Sequence, residues 1–159
     1  MVSDSEITLD NSIGIDFGFK HFLTFSDGTK VDSPEYFKHA LDKLAKEQRK
    51  LAKKQKGSKN KEKQRIKVAK IHQHIVNQRQ DFLHKLSSKL VKDSQFDVFC
   101  MEDLDLKSMM KKWGRKILDL SYYDFQGMME YKSIKHGKKV IKIGRFEPSS
   151  QICSCCGHR

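Results

Sequence analysis

The stretch SIGIDFGFKHFLTFSDG, residues 12–28, decides how this sequence folds. From Ser12 the side chains alternate as in a strand, with Ile13, Ile15 and Phe17 on one face and Gly14, Asp16 and Gly18 on the other. His21–Phe25 predicts a second strand, and Asp27-Gly28 suits the positive φ of a tight hairpin. Thr29–Asp32 predicts a third strand, ended by Ser33-Pro34. Three short strands in succession make a meander.

Outward from this meander the period changes. Residues 35–55 read as a helix, with Leu41, Leu44, Ala45, Leu51 and Ala52 on a narrow stripe. GSKNK reads as a loop, and residues 61–93 predict a longer helix carrying Val68, Ile71, Ile75, Phe82, Leu86 and Leu90 at three- and four-residue steps, apart from one seven-residue gap. Two helices joined by a short polar loop pack as an antiparallel hairpin. FDVFCME, residues 96–102, is a continuous apolar run expected of a strand buried on both faces. Residues 105–118 are Met-rich, basic and ambiguous. Ser121 is the expected N-cap of a helix running to about His136 and stopped by Gly137, and residues 139–144 predict a last strand. The fold class is α/β with a mixed sheet.

The 159 residues hold 32 Lys plus Arg against 20 Asp plus Glu, a net charge of +12. Between Lys43 and Lys70 there are 13 Lys or Arg and 2 acids, so +11 of that charge lies in 28 residues. Lys46, Arg49, Lys50, Lys53, Lys54, Lys56, Lys59, Lys61, Lys63, Arg65 and Lys67 are the candidate nucleic-acid contacts, since a dense cationic stretch binds phosphate backbones by counterion release. A solvated helix face with extra lysines is the plainer alternative. No apolar run reaches the roughly 20 residues of a membrane span, and the acidic start MVSDSE lacks the basic region of a signal peptide. A cytoplasmic, nucleoid-associated protein is the expectation.

Two acids stand out. Asp16 is flanked on its own face by glycines, which would leave room for a metal ion and a phosphate; the alternative is an Asp near a bulge at a strand end. Glu102 and Asp103 close an apolar strand, where a carboxylate is costly unless it is paired or ligates a cation, or where it simply marks the exit to solvent. Carboxylates brought together from neighbouring strands select Mg²⁺ or Mn²⁺. The chemistry that uses them is two-metal phosphodiester hydrolysis, with ions roughly 3.5–4 Å apart. Trp113, Tyr122 and Tyr123, near the basic Lys111, Lys112 and Arg115, are candidates for stacking on bases or for core packing. His72, His74 and His84 read as surface or packing residues, and Met128 and Met129 as helix packing.

Four ordered segments together resemble the OrfB/TnpB family of bacterial insertion elements: GIDFGFKHFLTFSDG, residues 57–91, FCMEDLDLKSM, and the tail from Glu130 through Gly157. The resemblance runs from about Ser12 to Arg159. It implies an RNase H-like (RuvC) fold with an inserted basic helical hairpin, acting as an RNA-guided DNA endonuclease related to type V CRISPR effectors. It makes DNA and a guide RNA the partners. It matches Asp16 and Glu102 to two catalytic, Mg²⁺-holding carboxylates, and it places a third Asp in a segment these 159 residues do not contain. It also implies a division into a leader (1–11), a partial nuclease domain (12–146, with the hairpin at 35–93) and the first half of a zinc-binding insertion (147–159). Cys153 and Cys156 match one CxxC pair of that insertion; tetrahedral Zn²⁺ needs four ligands, so zinc is expected only if a second pair is supplied. On this resemblance the sequence is expected to be an incomplete, inactive piece of a longer protein, the alternatives being a non-catalytic DNA- or RNA-binding module or a decayed transposase remnant.

Overall fold

The computed structural model describes residues 11–104, 111, 114 and 120–144. Five strands form one sheet: β1 (Ser12–Phe17), β2 (His21–Phe25), β3 (Lys30–Asp32), β4 (Val98–Glu102) and β5 (Lys139–Ile143). Their spatial order is β3-β2-β1-β4-β5. The first three strands pair antiparallel, as the meander requires, whereas β4 joins β1 in parallel and β5 joins β4 in parallel. The Asp27-Gly28 turn forms as the sequence predicts. Gly28 has φ 87°, and Asp27 accepts from both the amide and the hydroxyl of Thr29, which hold its carboxyl below the usual carboxylate range.

Helix α1 (Tyr36–Ala52) and helix α2 (Lys59–Asp93) form the expected hairpin. Tyr36 lies against Phe82 and Glu47 against Gln64, so the two run antiparallel. The GSKNK loop is shorter than its composition suggests. Ser58 caps α2, its hydroxyl accepting from the Lys61 amide at 3.1 Å, so Lys59 and Asn60 already belong to the helix. At 35 residues α2 is about 50 Å long. Its first half packs on α1 through Val68 and Ile75, and its second half enters the main core through Leu83, Ser87 and Val91. The buried line drifts from Phe82, Leu86 and Leu90, which are half-buried, to their next neighbours.

Helix α3 (Tyr122–Lys135) lies beside that second half and runs the same way, since Gln80 meets Asp124 and Ser87 meets Met128. Lys132 fastens the two, its Nζ donating to the His84 carbonyl and to the hydroxyls of Ser87 and Ser88, each at 2.8 Å. Burial holds that ammonium below its ordinary value, with the charge of Lys92 adding. Ser121 occupies the position before the helix, but not as the sequence predicts. Its backbone is left-handed (φ 48°) and its side chain caps no helix amide. The far end behaves as expected: Gly137 takes φ 69° and the amides of Gly137 and Lys138 close on the Ile134 and Ser133 carbonyls.

The core lies on one face of the sheet. Ile13, Ile15, Phe17, Phe99 and Met101 face α2 and α3, where Phe17, Phe22, Tyr122 and Phe125 meet edge-on or stacked with ring centroids 5.0–6.3 Å apart. A register shift between His21 and Leu23 turns both Phe22 and Leu23 inward. The expectation that β4 is buried on both faces holds only at its start. Phe99 and Met101 on one face and Val98 on the other are fully buried, while Cys100 and Glu102, which share the face of Val98, are half-buried.

Candidate metal pocket and nucleic-acid interface

The face of the sheet away from the core carries the acids. In the parallel pairing of β1 with β4, Gly14 lies beside Cys100 and Ile15 beside Met101. One step further along the same two strands stand Asp16 and Glu102. Because side chains repeat every two residues, both acids share the face of Gly14 and Cys100. They line one pocket of about 310 Å³ with Gly14, Ile15, Thr24, Phe25, Ser26, Cys100 and Ile143. Thr24 is there because it pairs with Asp16 across β1–β2, and Ile143 because it pairs with Glu102 across β4–β5.

The glycines around Asp16 act differently from the sequence reading. At Gly14 the space a side chain would take is bordered by Ser26, whose hydroxyl accepts from the Gly14 amide at 3.1 Å. At Gly18 a Cβ would stand 2.9 Å from the His21 carbonyl oxygen. Gly18 therefore serves the tight passage from β1 into β2 and does not line the pocket.

None of the described lining residues is a lysine, arginine or histidine. Two carboxylates thus share a small pocket with no cation among its described lining residues, a donor set that fits a hard divalent ion. Among the described residues no group of three or more His, Cys, Asp or Glu side chains converges on one point. The pair supplies two ligands and leaves further positions for water, phosphate oxygen or another acid. Asp103, next to Glu102, is not among the lining residues; its amide donates to the Ile143 carbonyl.

Helix α3 backs both strands from the core side. The Tyr122 hydroxyl donates to the Gly18 carbonyl at 2.6 Å, and the Gln126 amide donates to the Glu102 carbonyl at 3.1 Å. Burial pushes the Tyr122 hydroxyl well above its ordinary value, with the charge of Asp16 adding to the effect. Tyr122 is therefore a core residue and not a base-stacking one; Tyr123 is exposed. Sequence reasoning missed Gln126. Its signal was a lone amide side chain beside Phe125, Met128 and Met129 on a helix whose neighbours are apolar.

The cationic residues lie elsewhere, on the hairpin. Lys46, Arg49, Lys50, Lys53, Lys54, Lys56, Lys59, Lys63, Arg65 and Lys67 are exposed, and Lys61 is half-buried. Lys50 is held by Glu47 at 2.6 Å and Arg65 by Glu62 at 2.7 Å. A groove of about 430 Å³ between α1 and α2 brings Lys43, Lys50, Lys67, Lys70 and His74 around an apolar floor of Ala40, Ile71 and Ile75. His72 and His84 are exposed on α2, and Met128 and Met129 are core residues. Cys153 and Cys156 lie outside the described residues, as does Trp113. Among the described residues no helix is long and apolar enough to cross a membrane.

Fold and pocket together define a mixed α/β protein with an acidic pocket on the open face of its sheet and a separate cationic arm. The family model described as "Probable transposase" (OrfB_IS605) matches residues 5–112, and the chain belongs to that family. A second model, "Cas12f1-like, TNB domain", matches residues 122–159. A "Putative RNA-guided DNA endonuclease" of Streptomyces pristinaespiralis is 40% identical over 148 residues, covering 92% of this chain and 36% of that protein. "Putative RNA-guided DNA endonuclease InsQ" of Escherichia coli (strain K12) is 32% identical, covering 92% of this chain and 40% of that protein. The chain thus spans well under half the length of these curated relatives. In fold it is similar to a chain of the cryo-EM structure of a Cas12f1–sgRNA–target DNA complex, with TM-score 0.57, 21% identity, and coverage of 98% of this chain and 33% of the other.

Proposed function

We propose that this chain carries two of the metal-holding carboxylates, and a nucleic-acid-gripping arm, of an RNase H-like (RuvC) nuclease that acts on DNA under the direction of a guide RNA. The observation that carries this reading is the parallel pairing of β1 and β4, which places Asp16 and Glu102 in one pocket within the order β3-β2-β1-β4-β5. The printed names of its relatives support the substrate and the guide.

Asp16 and Glu102 would hold Mg²⁺ or Mn²⁺, which when bound supplies Lewis-acid stabilisation of charge on a phosphodiester. The open sheet face admits the backbone, and β1 and β4 fix the strand ends from which both acids project. The hairpin at 43–70 neutralises phosphates at a distance from the pocket, contributing affinity without reading sequence. The 159 residues hold two of the three acids that the family resemblance implies, so on their own they are expected to bind nucleic acid without cutting it. Cys153 and Cys156 belong in this proposal to a zinc site completed by a second cysteine pair.

The test measures binding of RNA and DNA by mobility shift across a salt series, and Mg²⁺-dependent cleavage of the same substrates. We expect salt-steep binding and no metal-dependent product. Cleavage abolished by Asp16→Asn would overturn the inactive reading and establish a working centre. Failure to bind either polymer at low salt would overturn the proposal as a whole.

A further inference from the structure

The contacts that α3 makes with β1 and β4 point beyond packing. Tyr122 and Gln126 are four residues apart, one helical turn, and therefore share a face. Both are buried, 1% and 7% exposed. Each sends its polar atom to a backbone carbonyl at the end of a strand that carries an acid: Gly18, two residues beyond Asp16, and Glu102 itself.

Each strand end is gripped twice. Gly18 receives Tyr122 on its carbonyl while its amide donates to the Phe22 carbonyl at 3.4 Å. The peptide joining Glu102 to Asp103 receives Gln126 on its carbonyl while its amide donates to the Ile143 carbonyl at 3.1 Å. The Glu102–Asp103 peptide unit, tethered at both its oxygen and its nitrogen, has little freedom to rotate, and the Glu102 side chain beside it inherits that restriction; at Gly18 the two bonds hold the separate peptide units on either side of its Cα and so fix the backbone just beyond Asp16. Nothing in the packing of an apolar core requires either polar atom, since phenylalanine and leucine would fill the same volumes.

We propose that Tyr122 and Gln126 are positioning residues: a two-point clamp by which α3 fixes the relative placement of Asp16 and Glu102 for a shared divalent ion. This rests on the metal-holding role given to the two acids above. The clamp acts through the backbone and touches neither carboxylate, so its loss should weaken metal binding by about three- to tenfold. That is less than the roughly 10–100-fold seen when a hydrogen-bond partner of a ligand is removed.

The experiment uses the full chain and two readouts. Amide hydrogen exchange follows Gly18 and Asp103, with Gln64 on the distant hairpin as control. Mn²⁺ titration follows paramagnetic broadening of the amide signals of Gly14, Ser26 and Cys100. Tyr122→Phe should speed exchange at Gly18, and Gln126→Leu at Asp103, with Gln64 unchanged. Both should raise the Mn²⁺ concentration at half-broadening about three- to tenfold, and Asp16→Asn should abolish the broadening. A variant that lowers thermal stability while leaving both readouts at wild-type values shows a merely structural role and overturns the clamp. Faster exchange with unchanged Mn²⁺ response also overturns it as a positioning device. Equal Mn²⁺ response in wild type and Asp16→Asn refutes the metal site itself, a failure read separately from the exchange data.

Discussion

Gln64, buried on α2, donates through its side-chain amide both to the backbone carbonyl of Glu47 at 3.1 Å and to its carboxylate at 2.7 Å. This pair of hydrogen bonds across the hairpin joins the two most cationic stretches of the protein. Lys50 completes the arrangement from the other side of the same carboxylate.

That arrangement makes the hairpin sensitive to acid. Hydrogen bonds from Lys50 and Gln64 hold the Glu47 carboxyl below its ordinary value. A carboxyl depressed on folding contributes stability above the unfolded value, and loses it as pH falls through the lower folded value. Thermal melts should show Gln64→Ala destabilising by about 1–2 kcal/mol at neutral pH, the cost of breaking buried hydrogen bonds. Glu47→Gln should flatten the acid limb of the wild-type stability profile. An unchanged acid limb would show that another carboxyl controls it.

The two glycines around Asp16 should answer differently to alanine. At Gly18 the new Cβ meets a backbone carbonyl at 2.9 Å, which cannot swing away as a side chain end can. Gly18→Ala should cost about 1–3 kcal/mol, the range for overpacking a filled site. At Gly14 the nearest atom is the Ser26 Cβ at 3.4 Å, ordinary contact. Gly14→Ala should be neutral or gain up to about 1 kcal/mol from reduced unfolded-state freedom. Urea unfolding of the two variants gives the comparison, and equal costs would refute the steric assignment.

Much of this was legible beforehand, for reasons that are local. Alternation placed Asp16 and Glu102 on strands, and the same alternation put each on the face opposite Ile15 and Met101. The Asp27-Gly28 turn and the Gly137 stop were legible because a single residue's φ decides them. What was not legible depends on contacts between distant residues. The role of Gly18 is set by a carbonyl that the turn brings back upon it, and the reach of Tyr122 spans 104 positions. Ser121 looked like a cap by type, yet its left-handed backbone takes the side chain away from the helix amides. The half-exposure of Cys100 follows from which face the helices cover, and the apolar run FDVFCME carries no sign of that.

Magnesium should stabilise the wild-type chain through the acidic pair. A ligand that binds only the folded state adds about 2.7 kcal/mol at a hundredfold excess over its Kd. Melting temperature should therefore rise with Mg²⁺ in the wild type, and less or not at all in Asp16→Asn and Glu102→Gln. Calcium makes a useful comparison, being a hard cation with looser geometric demands. Identical Mg²⁺-induced shifts in all three proteins would place the bound ion away from Asp16 and Glu102.

Nucleic-acid affinity should depend on salt through the loop and the first turns around it. Exposed Lys53, Lys54 and Lys56 follow α1 directly. Replacing all three with Gln should reduce the slope of log affinity against log salt by about one for each phosphate no longer neutralised, with equal effect on different sequences. A change confined to one sequence would mean that these lysines read bases instead of charge.

The unbroken run of α2 from Lys59 to Asp93 gives the molecule a mechanical character. Its outer half bears the charge while its inner half is wedged into the core through Leu83, Ser87 and Val91, with no glycine or proline between the halves to serve as a joint. A polymer pulling on the tip therefore loads the seam with α3 directly, and α3 is the element bonded to Gly18 and Glu102. On the proposed function, nucleic acid held at the end of the arm would bear on the alignment of the acids as a load on one end of a beam bears on the other.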